Sequence, residues 1–196
     1  MNPEDTQLLP RLLNGDEAAY RTLVATHHGV MRRLARAIVG DALAEEVAQE
    51  TWIKAIAALP SFEGRSSLRT WLLRIARNEA IDWLRKESRV PESESLEGDV
   101  LVDRFASDGH WRPPPSIWSD ETPEALLAAR ELAAVIDAAL AAMPATQRSV
   151  LTLRDMDGLE FEEICNILDV SASSVRVLLH RARQRLWVAI DAHEGK

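Results

Sequence analysis

The sequence predicts an all-α protein made of two small helical bundles joined by an acidic flexible linker. Three observations predict it. Apolar residues recur at helical spacing through most of the 196-residue chain, and no alternating β-branched run marks a strand. Glycines, prolines and capping residues interrupt the pattern at helix-sized intervals. Between Val90 and Glu124 the period is lost and five prolines enter: Pro91, Pro113, Pro114, Pro115 and Pro123.

The elements follow in order. Leu8 to Leu13 is a short helix candidate. Asp16 is placed to cap a helix running to about Val39, where Gly40 ends it. Asp41 starts another, stopped at about Leu59 by Pro60. The loop SFEGRSS leads into a helix from about Ser67 to Ser88. Helices resume from Pro123 to about Ala142. Pro144 suits the first turn of the next, to about Met156. Asp157-Gly158 makes a turn, Glu160 to Leu168 a short helix, and Ser171 caps a final helix to about Ala192. The expected domains are residues 1–89 and 122–196, with 90–121 as the linker. From Val90 to Glu124, nine acidic residues against two arginines leave −7, most of the chain's net −8. Trp111 and Trp118 are unusual in a passive tether and suggest that parts of it dock.

Composition sets limits. No apolar run approaches the ~18–20 residues of a bilayer span, so no membrane insertion is expected. The start, MNPEDTQLLPRLL, lacks the basic-then-apolar pattern of a secretory signal. One cysteine, Cys165, excludes an internal disulfide and suits a reducing, cytoplasmic setting. It alternates with apolar residues and reads as a core thiol. An acidic chain of pI 5.2 argues against a free-standing, non-specific nucleic-acid binder. His27-His28 cannot share a metal, because neighbours on a helix diverge by ~100°. No paired metal spacing, glycine-rich phosphate loop or nucleophile elbow is present, so no metal, cofactor or enzymatic activity is expected.

Three helix faces remain. At 100° per residue, Leu68, Leu72, Ile75, Ala76, Ala80 and Trp83 form one inward stripe. Arg74, Asn78 and Arg85 share another face, with Trp71 at the border. Six basic residues against Glu79, Asp82 and Glu87 give residues 68–89 a charge of +3. Guanidinium groups bind phosphates, an indole stacks on bases, and an amide reads a base edge, so this face suits a nucleic-acid strand. An ordinary solvated face would look similar. The last two helices, EFEEICNILDVSASSVRVLLHRARQRLW, have a helix–turn–helix layout. Val175, Leu178, Leu179, Ala182, Leu186 and Ala189 point inward; Ser173, Arg176, Val177, His180 and Gln184 point outward. Four arginines and no acid lie between Ser171 and Trp187, and Ser173 and Ser174 permit close approach to a groove. In the helix from Asp41, Ala44, Ala48, Trp52, Ala55 and Ile56 are the expected buried side. Glu46, Gln49, Glu50 and Ile53 lie opposite, an isoleucine among acids that suits a protein surface.

The segments GDEAAYRTLV, AEEVAQETWIKAIAALPSFEGRSSLRTWLLRIARNEAIDWLRK and AMPATQRSVLTLRDMDGLEFEEICNILDVSASSVRVLLHRARQRL resemble the extracytoplasmic-function sigma factors, the two-domain branch of the sigma-70 family. The resemblance covers nearly everything from Gly15 to Trp187. It implies a factor that directs core RNA polymerase to specific promoters. Core polymerase would be bound through its β′ clamp helices, by Glu46, Gln49, Glu50 and Ile53, and through its β flap. Asn78 matches the position that helps hold a flipped-out base of the −10 element, with Phe62 and the loop Glu63–Ser67, including Arg65 and Ser66, walling the pocket. Trp71, Arg74 and Arg85 flank it. Arg176, Val177, His180 and Arg181 match −35 contact positions, and Arg154 meets backbone phosphate. A cognate anti-sigma factor is implied as well. Glu160 departs from the family, standing where a serine or threonine cap is common. Val177 and His180 differ from several relatives. The linker would have to span promoter elements roughly 60 Å apart. As a coil it covers only ~30–35 Å, but extended it reaches over ~100 Å. The alternative is a helix–turn–helix regulator that is not a polymerase subunit; it would explain residues 122–192 and leave Asn78 idle.

Overall fold

The computed structural model describes residues 3–86 and 123–194, with side chains for 5–86 and 129–194. The predicted roles of Trp111, Trp118 and the acidic linker lie outside the described residues. The first bundle comprises α1 (Pro3–Leu13), α2 (Glu17–Val39), α3 (Asp41–Ala58), a 3₁₀ turn (Leu59–Ser61) and α4 (Leu68–Lys86). The second comprises α5 (Pro123–Ala141), α6 (Ala145–Leu151), a π-helical turn (Thr152–Met156), α7 (Phe161–Leu168) and α8 (Ala172–Glu194). No strand occurs among the described residues.

The caps explain the boundaries. Asp16 Oδ1 accepts from the amides of Ala18 (2.9 Å) and Ala19 (3.3 Å), as predicted. Its carboxyl is held below the ordinary range first by the hydrogen bond from Arg11. Gly40, at φ 89°, lets the chain leave α2 and enter α3 without a side-chain clash. Ser171 Oγ accepts from the Ser174 amide at 3.1 Å and so caps α8.

Four boundaries differ from expectation. α1 begins at Pro3, five residues before Leu8. Pro60 falls inside the 3₁₀ turn, where its missing N–H is no loss. Pro144 is the N-cap of α6, with extended ψ of 141°. Glu160 is the N-cap of α7, and the carboxylate of Glu163 reaches back to its amide at 3.1 Å.

Leu12, Met31, Leu34, Leu68, Leu72 and Leu73 fill the first core; Leu153, Leu159, Ile164, Ile167 and Val175 fill the second. Each fully buried leucine contributes roughly 2 kcal/mol. The two cores join, because α2 packs on α6 and α4 on α7. The Asp157 amide bonds back to Thr152 at 3.0 Å and the Leu159 amide to Leu153 at 2.9 Å, which ends the α6 axis in the π turn. That turn aims Asp155 at its own domain and presents Asp157 to the other one.

Candidate nucleic-acid and polymerase interfaces

α4 is rotated by what its inward side buries. Leu68, Leu72, Ala76 and Ala80 are buried as expected, and Ile75 and Trp83 are half-buried. Glu79, counted in the sequence only in the net charge of residues 68–89, is buried, and the Lys54 ammonium on α3 pairs with it. That hydrogen bond is the main cause holding Lys54 above its ordinary pKa. The exposed stripe is therefore more basic than the helix's formal charge.

Arg74, Asn78 and Arg85 are exposed on this stripe, as the helical wheel requires. Arg77 donates to the Asn78 side-chain oxygen at 3.0 Å, and Arg85 lies 3.6 Å from Asp82. Trp71 is half-buried, with its ring 5.0 Å from that of Phe62 and tilted 48°. The two aromatics form a wall that α4 and the preceding loop share. In the loop, Arg65 pairs with Glu63 at 3.1 Å and the Ser66 hydroxyl donates to the Ser67 carbonyl at 3.2 Å. Ser67 Oγ accepts from the Thr70 amide at 3.1 Å. Asp5, buried on α1, accepts from the Leu68 amide at 2.9 Å. The start of α4 thus has two caps, one of them 63 residues away in sequence.

The face of α3 carries exposed Glu46, Gln49 and Glu50, with Ile53 at 62% exposure. Ile56, expected on the buried side, is 45% exposed. Val47 and Thr51 take the inward positions, since the Thr51 hydroxyl is satisfied internally by the Val47 carbonyl at 2.7 Å. Ile56 lines a shallow apolar groove with Tyr20, Val24 and Ala25 of α2. The apolar part of this surface is therefore wider than Ile53 alone.

In α8, Val175, Leu178, Leu179 and Ala182 are buried, as predicted. Ser173, Arg176, Val177 and His180 are exposed; Ser174, Arg181 and Gln184 are half-buried. Arg183 lies inward and makes a bidentate pair with Asp155, at 2.9 and 2.6 Å. Arg154 donates to the Leu159 carbonyl at 2.7 Å and to Glu160 at 3.1 Å. Its guanidinium sits 5.0 Å over the Phe161 ring, and that of Arg176 sits 5.7 Å from the same ring. Cys165 is half-buried at the edge of the core. His28 accepts from the Trp52 indole at 3.2 Å and lies 3.5 Å from Glu45. Burial holds His27 below the ordinary imidazole range, against Asp5 and with Arg69.

Several contacts made by arginines have no signal in the sequence. Arg33 of α2 pairs with Asp157, its Nε at 2.9 Å. Arg69 donates to the Asp157 carbonyl at 2.7 Å, and Arg77 to the Leu168 carbonyl at 3.2 Å. Arg148 donates to Ala37 at 2.6 Å and to Leu140 at 3.1 Å. Long-range pairs of this kind follow no spacing rule.

The arrangement defines a class: a two-domain, all-helical protein presenting two basic helix faces and one acidic-apolar face. Residues 23–90 match the family model for Sigma-70 region 2, and residues 133–186 that for Sigma-70 region 4. The chain is 33% identical over 182 residues to the ECF RNA polymerase sigma-E factor of Escherichia coli K12, covering 93% of this chain and 92% of that one. It is 32% identical over 189 residues to the RNA polymerase sigma-H factor of Pseudomonas aeruginosa, covering 96% and 94%. The chain belongs to the extracytoplasmic-function sigma factors of the sigma-70 family. Two solved structures share the fold. One is CnrH in complex with the cytosolic domain of CnrY (TM-score 0.61, 22% identity, 96% of this chain and 97% of that one). The other is the sigma factor RpoE in complex with the anti-sigma factor NepR from Bartonella quintana (0.59, 23%, 88% and 96%).

Proposed function

We propose that this sigma factor brings core RNA polymerase to its promoters by dividing recognition between the two bundles. α4 and the loop before it hold the −10 element as it melts. Asn78 engages an extruded base, the Phe62–Trp71 wall stacks beside it, and Arg65, Ser66, Arg74 and Arg85 meet the strand. Extruding a base costs a few kcal/mol, so the pocket must return comparable contacts. The outward face of α8, with Ser173, Ser174, Arg176, Val177, His180, Arg181 and Gln184, enters the major groove of the −35 element. Arg154 is placed beside that face to meet backbone phosphate once it leaves Glu160. Glu46, Gln49, Glu50 and Ile53 dock on the β′ clamp helices, and the second bundle engages the β flap. A cognate anti-sigma factor in the cytoplasm covers these faces until it is released; the anti-sigma complex of the Bartonella relative supports this.

The exposed Asn78 between two exposed arginines, beside paired aromatics, is the observation that carries the reading. Reconstitution with core enzyme tests it. The wild-type chain should restore promoter-specific initiation. Asn78→Ala should lower initiation by roughly 10–100-fold while leaving core binding intact, as loss of a few kcal/mol of base contacts requires. Glu50→Lys should do the reverse. Equal defects in both assays would remove these roles, and a chain that never supports initiation with core would favour a regulator outside the polymerase.

A further inference from the structure

α1 precedes the stretch that matches Sigma-70 region 2, residues 23–90, yet its first turns reach the start of α4. Both ends of α1 are fixed. At the C-terminal end Leu12 is buried in the core, and the Gly15 amide donates back to the Leu12 carbonyl at 3.0 Å. Arg11 also pairs with Asp16, the cap of α2, at 2.8 Å. At the N-terminal end the buried Asp5 carboxylate accepts from the Leu68 amide at 2.9 Å.

That amide needs a distant acceptor. The first amides of a helix have no partner within it, and an N-cap side chain reaches only the second or third of them. Ser67 follows this rule, its Oγ taking the Thr70 amide at 3.1 Å. The Leu68 amide is left over, and Leu68 is fully buried, so water does not satisfy it in place. Without Asp5 it would be a buried donor with no acceptor. The rest of α4 is held by the buried Leu72, Ala76 and Ala80. The least costly relief is therefore a shift of the first turn and of the loop before it.

The loop is tied at its entry, where the Phe62 amide donates to the Leu59 carbonyl at 3.0 Å. Midway, the Arg65–Glu63 pair is 85% and 66% exposed and holds little. The exit at Leu68 thus sets the loop's course. Trp71 stands one turn further on, its amide donating to the Ser67 carbonyl at 3.0 Å. The rings of Phe62 and Trp71, 5.0 Å apart, keep their spacing only while the first turn of α4 stays where Asp5 holds it.

We propose that Asp5 is a positioning residue for promoter melting: by holding the Leu68 amide it keeps the Phe62–Trp71 wall and its loop in the place where an extruded base is received. This rests on the reading of Asn78 and that wall as the −10 base pocket. α1 becomes part of the device that opens the promoter, acting through α4 and not through a contact of its own with the strand.

Holoenzyme reconstituted with the full chain tests this on a fork-junction promoter carrying 2-aminopurine at the extruded position. Asp5→Ala should lower the extrusion equilibrium roughly tenfold, the effect of one lost cap, while affinity for core stays unchanged. Asp5→Asn, whose side-chain oxygen accepts the same bond, should stay within roughly twofold of wild type. Hydrogen exchange of the free chain gives a second readout. Asp5→Ala should speed exchange across residues 62–71 and leave α3 and α8 as they are; Asp5→Asn should not. Wild-type extrusion by Asp5→Ala overturns the proposal. So does an Asp5→Asn variant as impaired as Asp5→Ala, or faster exchange throughout the first bundle. If Asp5→Ala loses its helical circular dichroism, Asp5→Ser, shorter but hydrated, carries the comparison; if both unfold, Asp5 serves the fold alone and the proposal falls. Asn78→Ala in the same extrusion assay separates the two readings. Normal extrusion by Asn78→Ala removes the base pocket, whereas impaired extrusion by Asn78→Ala with normal extrusion by Asp5→Ala removes only the positioning role.

Discussion

α4 and α8 are both basic amphipathic helices, and each buries one charge on its inward side, in opposite senses. α4 buries an acid, Glu79, against Lys54 of α3. α8 buries a base, Arg183, against Asp155 of the π turn. In both, the buried charge sets the helix's rotation and leaves the outward face cationic. The partners differ in exposure: Glu79 is 5% exposed and Asp155 29%. The outward faces differ too. α4 gives part of its face to the other bundle, through Arg69, Thr70 and Arg77. α8 packs chiefly on α5, α6 and α7 of its own bundle. α4 is thus the helix that shares part of its surface with the other bundle, while α8 packs mainly within its own.

The sharpest test of the comparison concerns the buried charges. Lys54→Met leaves Glu79 in the core with no cation, and should lower stability by about 3 kcal/mol. Arg183→Met leaves Asp155 nearer to water and should cost less, about 1–2 kcal/mol. Urea unfolding of the two variants measures the difference. Equal losses would mean that exposure of the abandoned carboxylate does not decide the cost.

Much of this was legible in the sequence, for a reason particular to helices. The wheel sorted Arg74 and Asn78 outward and Leu178 inward because a helix's own period fixes relative direction. It erred at Ile56, and it gave no place to Glu79, whose direction depends on a neighbour. Lys54 is 25 residues from Glu79, and nothing local announces their pairing. Asp16, Gly40 and Ser171 were readable because caps are local chemistry. Asp5 as a cap for α4, and Asp157 as a partner of Arg33, were not, since 63 and 124 residues intervene. The family resemblance implies roles for the faces; it says nothing of the contacts between the bundles.

A smaller effect probes the outward face of α8. His180 is exposed, as is Val177, on the side of α8 proposed to enter the −35 groove. His180→Ala should change the preferred base at one −35 position by about 1 kcal/mol, with little change in the salt dependence of binding. Selection of binding sites from a randomised −35 element by the reconstituted holoenzyme reads this. An unchanged preference would remove His180 from the readout set.

The smallest effect concerns the crowded end of α4. His27, half-buried on α2, has its pKa lowered first by burial, with Asp5 opposing and Arg69 of α4 adding to the depression. The folded state therefore binds this proton less readily than the unfolded chain, whose imidazole titrates near 6.5. Above that pH both states are neutral at His27 and its burial carries no proton-linked penalty. As pH falls through 6.5, the unfolded chain takes up a proton that the folded chain refuses, and stability drops. The slope for this single proton is bounded by ~1.4 kcal/mol per pH unit. His27→Gln should flatten that part of the profile in urea midpoints taken across this range. Because Arg69 adds to the depression, Arg69→Gln should flatten it partway, whereas Arg176→Gln on α8 should leave the slope as it is. If the Arg176 variant changed the slope as much as the Arg69 variant, the linkage would belong to the chain's net charge and the contrast between the two helices would lose its electrostatic basis.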